Sequence, residues 1–127
     1  MSTISEYVYS TLSGAGALAA LVSDRIYPAL APEGSARPYV VFSKISTVPT
    51  ETHGSSSAER LDETLIQFMI VAETYTATED IAAALRTVLE DAGGPTNGST
   101  EITNIRETYE DDTELFVTQL DANFFHN

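Results

Sequence analysis

Two stretches decide the fold class: Tyr39-Val40-Val41-Phe42-Ser43-Lys44-Ile45, and Leu61-Asp62-Glu63-Thr64-Leu65-Ile66-Gln67-Phe68-Met69-Ile70-Val71-Ala72. Both are rich in β-branched and aromatic residues, which pack well on a pleated surface. In the second, Thr64, Ile66, Phe68, Ile70 and Ala72 alternate with Leu65, Gln67, Met69 and Val71, the period of two expected of a strand. Both sets turn apolar toward the C-terminal end, so this strand is expected at the centre of a sheet and covered on both sides. The pair reads as a hairpin with a long tip. The tip, Thr47 to Ala58, holds Pro49, Gly54 and three consecutive serines, too polar and too punctuated for a core.

Downstream, Thr76-Ala77-Thr78-Glu79 has the spacing of a capping box. Ile81, Leu85, Val88, Leu89 and Ala92 then mark one face of a helix, which Gly93-Gly94-Pro95 stops. After the turn signal Asn97-Gly98, residues 102–109 and 115–125 read as two strands joined by Glu110-Asp111-Asp112-Thr113. Upstream, Ile4, Val8 and Leu12 recur at helical spacing. Gly14 and Gly16 interrupt the pattern before the apolar run 17–22, so the region reads as one broken helix or two short ones. Ile26-Tyr27-Pro28 is a short extended segment, and Pro28 and Pro32 exclude regular structure just after it. The expected fold is α+β: an antiparallel or mixed sheet built from two hairpins, with N-terminal and central helices packed on it.

The chain has 127 residues, 43% of them hydrophobic. That length fits a single domain spanning 1–127, with a core that needs no staples. The absence of cysteine excludes disulfides, thiolate metal sites and cysteine nucleophiles. Nineteen acids against six bases leave a net charge of -13. Such a chain repels phosphate backbones, so electrostatic binding of nucleic acid is not expected. The acidity has three readings: a solvated surface, a docking face for a basic protein, or adaptation to high internal salt. No run approaches the roughly 20 apolar residues of a membrane helix, and Met1 to Tyr9 lacks the basic start of a signal peptide. Asn97-Gly98-Ser99 matches a glycosylation triplet but reads as a turn.

Several strings resemble a family of small tail-completion proteins of tailed bacteriophages. They are Leu18-Ala19-Ala20-Leu21-Val22, Arg25-Ile26-Tyr27-Pro28, Ala31-Pro32-Glu33-Gly34 and Arg37-Pro38-Tyr39-Val40-Val41-Phe42. The strand with Gln67-Phe68 and the alanine-rich helix after it match in position. The likeness is sharp over residues 18 to 42 and extends in layout over nearly the whole chain. The resemblance implies a structural virion protein, not an enzyme: a tail terminator forming a hexameric ring that caps the tail tube and meets the head connector. Its partners would be further copies, the tail-tube protein and a head-completion protein, with DNA passing through the lumen without specific binding and no membrane involved. The implied location is the tail or neck of the virion, assembled in the host cytoplasm. Another neck component, such as a head-completion protein, is the alternative. A small-ligand-binding or enzymatic α+β domain is a further one.

Two segments are candidate interfaces. Pro49, Glu51, His53 and Arg60 lie in or beside the long tip, which is either a solvent loop or, as the resemblance favours, a contact ordered on assembly. Glu110, Asp111 and Asp112, with Glu114 nearby, form the densest acidic cluster. Four carboxylates can bind a divalent cation, but the calcium-loop pattern with its internal glycine is missing. A charged hairpin turn or an acidic rim that keeps DNA from sticking are the other readings. His53 and His126, the only histidines, are too far apart in sequence to suggest a metal pair or a catalytic base. No nucleophile elbow, phosphate loop or complete dinucleotide fingerprint occurs. Catalytic residues, metal and cofactor are therefore all expected to be none. Tyr7, Tyr9, Tyr27 and Tyr39 read as core and interface anchors.

Overall fold

Alternation along residues 62–72 sends Thr64, Ile66, Phe68, Ile70 and Ala72 to one side of the chain, and all five are buried. That side is where the helices lie. The computed structural model describes residues 4–48, 62–92 and 99–126. In order the elements are α1 (Ile4–Ser13), α2 (Gly16–Val22), β1 (Ile26–Pro28), β2 (Tyr39–Val48), β3 (Asp62–Ala72), α3 (Tyr75–Ala92), β4 (Ser99–Glu110) and β5 (Leu115–His126). The strands form one sheet in the order β1-β2-β3-β5-β4. β1 runs parallel to β2, and every other pairing is antiparallel. The fold is thus α+β with a mixed sheet, two hairpins and three helices packed on it.

The core joins Val8 and Leu12 of α1, Leu18 and Val22 of α2, and Ile81, Leu85 and Leu89 of α3 to the helix side of the sheet. Phe68 lies at its centre, with ring centroids 6.4 Å from Phe42 and 6.3 Å from Phe124. Tyr7 of α1 meets Phe124 edge to face at 6.4 Å. Burying one such side chain stabilises by about 1.5–3 kcal/mol, so the three phenylalanines clamp β2, β3 and β5 into one unit.

β3 is the middle strand, as its pattern implied, but among the described residues the helices cover only one of its sides. On the far side Val71, Leu115 and Val117 form a smaller cluster with Tyr39 and Met69, and no helix residue belongs to it. Val71 is buried in this cluster, and the segment 29–31 borders the same side of the sheet beside Tyr39 and Met69. Farther along this side the row turns polar, through Ser43, Gln67, Asp121 and Asn104 on successive strands. Asp121 Oδ1 is shielded there and accepts no hydrogen bond from the described residues.

The start of α3 also differs from its sequence signature. Thr74, not Thr76, caps the helix: its Oγ1 accepts from the Ala77 amide at 3.2 Å, while its carbonyl accepts from Thr78. Only Glu73 and Thr74 separate β3 from α3, so the helix must begin at once to fold back over the sheet. Thr76 and Glu79 fall inside it, where no reciprocal cap can form.

Two of the strings behind the family likeness, residues 25–28 and 37–42, meet where β1 pairs with β2. The Arg25 side chain donates from Nε to the Pro38 carbonyl at 2.8 Å, and Val40 donates its amide to the Arg25 carbonyl. Tyr27 and Tyr39 meet edge to face at 6.0 Å. Arg37, whose peptide to Pro38 is cis, reaches Glu73 at 3.5 Å. The first edge of the sheet is thereby tied to the turn that launches α3.

Candidate functional site

β4 ends the sheet on one side, and among the described residues it pairs with β5 alone. Its other row of backbone donors and acceptors meets no strand among the described residues, the feature that templates pairing with another chain. Ser99–Glu110 is exposed along nearly its whole length, only Thr100 and Ile102 being half-buried. The residues of β4 that face the helix layer include Ile102, Ile105, Glu107 and Tyr109, opposite Ala122, Leu120, Thr118 and Phe116 of β5. A slip in register between Ile102 and Asn104 marks a bulge at Thr103, whose hydroxyl donates to the Asp121 carbonyl at 3.2 Å. Bulges of this kind re-aim the side chains of an edge strand.

Helix α3 runs beside this edge, and two hollows lie between them. One, of about 400 Å³, is lined by Tyr75, Thr78, Glu107, Tyr109 and Phe116 among others. The other, of about 380 Å³, lies among Ala82, Ala83, Arg86, Glu90 and Ile105. Small residues on α3 open the second hollow, and three aromatic rings wall the first. Tyr109 packs on Phe116 at 4.8 Å, and Tyr75 meets the same ring edge to face at 5.9 Å. Both tyrosines keep nearly half their surface in solvent, at 47% and 46%. Hydrogen bonding to the nearby Glu107 carboxylate holds the Tyr75 pKa above the usual 10.0; desolvation and the charges of Glu107 and Glu79 add to the same direction. Exposed, ordered aromatic rings beside an open strand edge suit protein recognition.

The acidic cluster sits at the end of the same hairpin. Glu110 ends β4, Asp111 and Asp112 form the turn, and all three are exposed. Thr113 Oγ1 donates to Glu110 Oε2 at 3.1 Å, and Glu114 takes a left-handed φ of 57° to turn the chain into β5. Among the described residues no three histidines or acids are grouped to hold a metal ion. Pro49, Glu51, His53 and Arg60 lie outside the described residues, as do Gly93 to Gly98.

Sequence reading located the acidic turn but missed the aromatic hollow beside it. Half of the signal was there: Tyr109 and Phe116 face each other once the strands are paired outward from the turn. Tyr75 carried no such signal, since only the packing of α3 on the sheet brings its ring to Phe116. The tyrosines that were singled out divide. Tyr7 and Tyr39 pack against buried clusters, whereas Tyr9 stands 43% exposed on α1.

The solved structure of a protein in the virion of a native gene transfer agent particle shares this fold. It superposes with a TM-score of 0.73 at 18% identity, over 94% of this chain and 90% of that one. A protein of Akkermansia muciniphila solved without its transmembrane region aligns with a TM-score of 0.35 at 10% identity, over 66% of this chain and 43% of that one. That score is too low for a shared fold. No curated protein sequence matches the chain. The sequence profile of one family, described as Tail completion protein gp17, matches residues 6–126, from the first turn of α1 to the last residue of β5. On that match the chain belongs to the tail completion protein gp17 family.

Proposed function

We propose that this chain is a terminator subunit: several copies close into a ring that caps the tail tube and presents a docking face to the head connector. It acts by assembly and not by catalysis. The observation that carries the reading is the family match over residues 6–126. The fold shared with a protein of a gene transfer agent virion is consistent with it. Six copies are the number implied by the family likeness, and the partners are the tail-tube protein on one side and a head-completion protein on the other. The ring would sit in the virion at the tail end of the neck, after assembly in the host cytoplasm.

The physics of the role is simple. A head-to-tail interface closes into a ring when its rotation closes. A net charge of -13 disfavours contact between the ring and DNA passing through it. The exposed aromatic and acidic end of the β4–β5 hairpin suits a neighbour with basic residues at its rim.

Addition of the protein during assembly of the tail-tube protein from the same genome tests the reading. Tubes of arrested length, each with a distinct ring at one end under the electron microscope, are the expected result. Tubes of unchanged length with bare ends would move the protein to the connector side of the neck or out of the virion.

A further inference from the structure

The sheet has two edges, and they differ in character. On one side β1 covers β2 only as far as Phe42, so residues 44–48 have no strand beside them away from β3 among the described residues. That free stretch reads Lys-Ile-Ser-Thr-Val and holds no acid. Lys44, the only lysine of the chain, is exposed and makes no ion pair among the described residues. Ile45 and Val48 are 52% and 56% exposed, Ile45 because a bulge between Lys44 and Ser46 pushes it out of register.

On the other side β4 has no strand beside it away from β5 among the described residues, and it carries Glu101, Glu107 and Glu110. Its single base, Arg106, is engaged with Gln119 at 2.7 Å. Ile105 and Tyr109 are the exposed apolar residues of this edge.

We infer that the β4 edge of one copy pairs with the free part of β2 in the next copy, extending the sheet from subunit to subunit; this rests on the ring reading and names the contact that closes it. Charge selects the pairing. Two β4 edges would bring glutamates against glutamates, and two β2 edges would bring Lys44 against Lys44. Like charges opposite one another destabilise strand pairs, whereas a lysine opposite a glutamate stabilises them. The edges therefore refuse themselves and accept each other, which disfavours a two-fold dimer and favours head-to-tail addition. The exposed apolar residues on both edges gain cover in the same step, and the open backbone rows supply main-chain hydrogen bonds.

Carbodiimide, which joins an amine to a carboxylate with no spacer, gives a direct test on tubes capped by the protein. Within one copy β3 and β5 separate β2 from β4 by roughly 14 Å, three strand spacings of about 4.8 Å. Lys44, opposite Ile66, and Glu107, opposite Thr118, both lie on the helix side of the sheet, whereas Glu101 and Glu110 lie on the other side, so a continued sheet brings Lys44 to Glu107. A zero-length link between these two can thus form only between copies. The expected result is that link in digests of capped tubes, with loss of capping by Lys44→Glu and normal capping by Lys44→Arg. Capped tubes in which Lys44 stays unlinked to β4, or a Lys44→Glu protein that caps as well as wild type, would overturn the edge pairing and leave the ring standing. Bare tubes with wild-type protein would remove the ring and this contact together.

Discussion

Tyr75, the first residue of α3, and Glu107 of the edge strand β4 line the same hollow. That strand is an edge of the sheet, and the rings of Tyr75, Tyr109 and Phe116 line the same hollow.

The nearness of Glu107 raises the pKa of Tyr75. The protonated phenol is the donor, so Glu107 stabilises it and raises the pKa above 10.0. A raised folded-state pKa contributes stability that is complete below about 10, the unfolded value, and is lost as pH rises through the folded value. Tyrosinate absorbance should show Tyr75, identified by its loss in Tyr75→Phe, ionising above 10.0 in the wild type and lower in Glu107→Gln. Titration of Tyr75 at the same pH in both proteins would count against this effect of Glu107.

Phe68 stands between Phe42 and Phe124 and has no solvent exposure. Phe68→Ala is expected to cost about 3–5 kcal/mol, from lost burial and the cavity left in a sheet clamped on both sides. Urea unfolding should show a lower midpoint with an unchanged slope. Phe116→Ala, in a half-exposed hollow, should cost clearly less.

The two threonines at the start of α3 separate the cap seen in the fold from the one suggested by spacing. Thr74→Ala should cost about 1 kcal/mol, since the Ala77 amide loses its acceptor. Thr76→Ala should change stability by less than about 0.5 kcal/mol. Thermal melts of the two variants rank them directly, and a larger loss at Thr76 would restore the capping box.

Glu110, Asp111 and Asp112 are exposed at a hairpin turn, so stability should barely notice their charges. The triple change Glu110→Gln, Asp111→Asn and Asp112→Asn is expected to stay within about 0.5 kcal/mol of wild type. If the turn faces a basic partner, the effect appears in assembly: slower capping at low salt and a weaker dependence of capping on salt. A variant that caps at the wild-type rate at every ionic strength would free the turn from that role.

The sequence alone determined the elements and their class, because strand alternation and helical periodicity are local consequences of which side chains can share a face. Thr64 to Ala72 announced the central strand, Ile81 to Leu89 the long helix, and Glu110 to Thr113 the turn that joins the last two strands. The strings from Leu18 to Phe42 pointed to the family, since their order and spacing survive apart from any contact. The tertiary structure decided what depends on neighbours distant in the chain. The helices take one side of the sheet, so β3 is central without helices on both sides among the described residues. The short step from Ala72 to Tyr75 moves the cap to Thr74. Strand order leaves β4 and the end of β2 as opposite, oppositely charged edges. Tyr75 reaches Phe116 only because α3 lies back across the sheet; that contact joins residues whose separation along the chain carries no periodic signal.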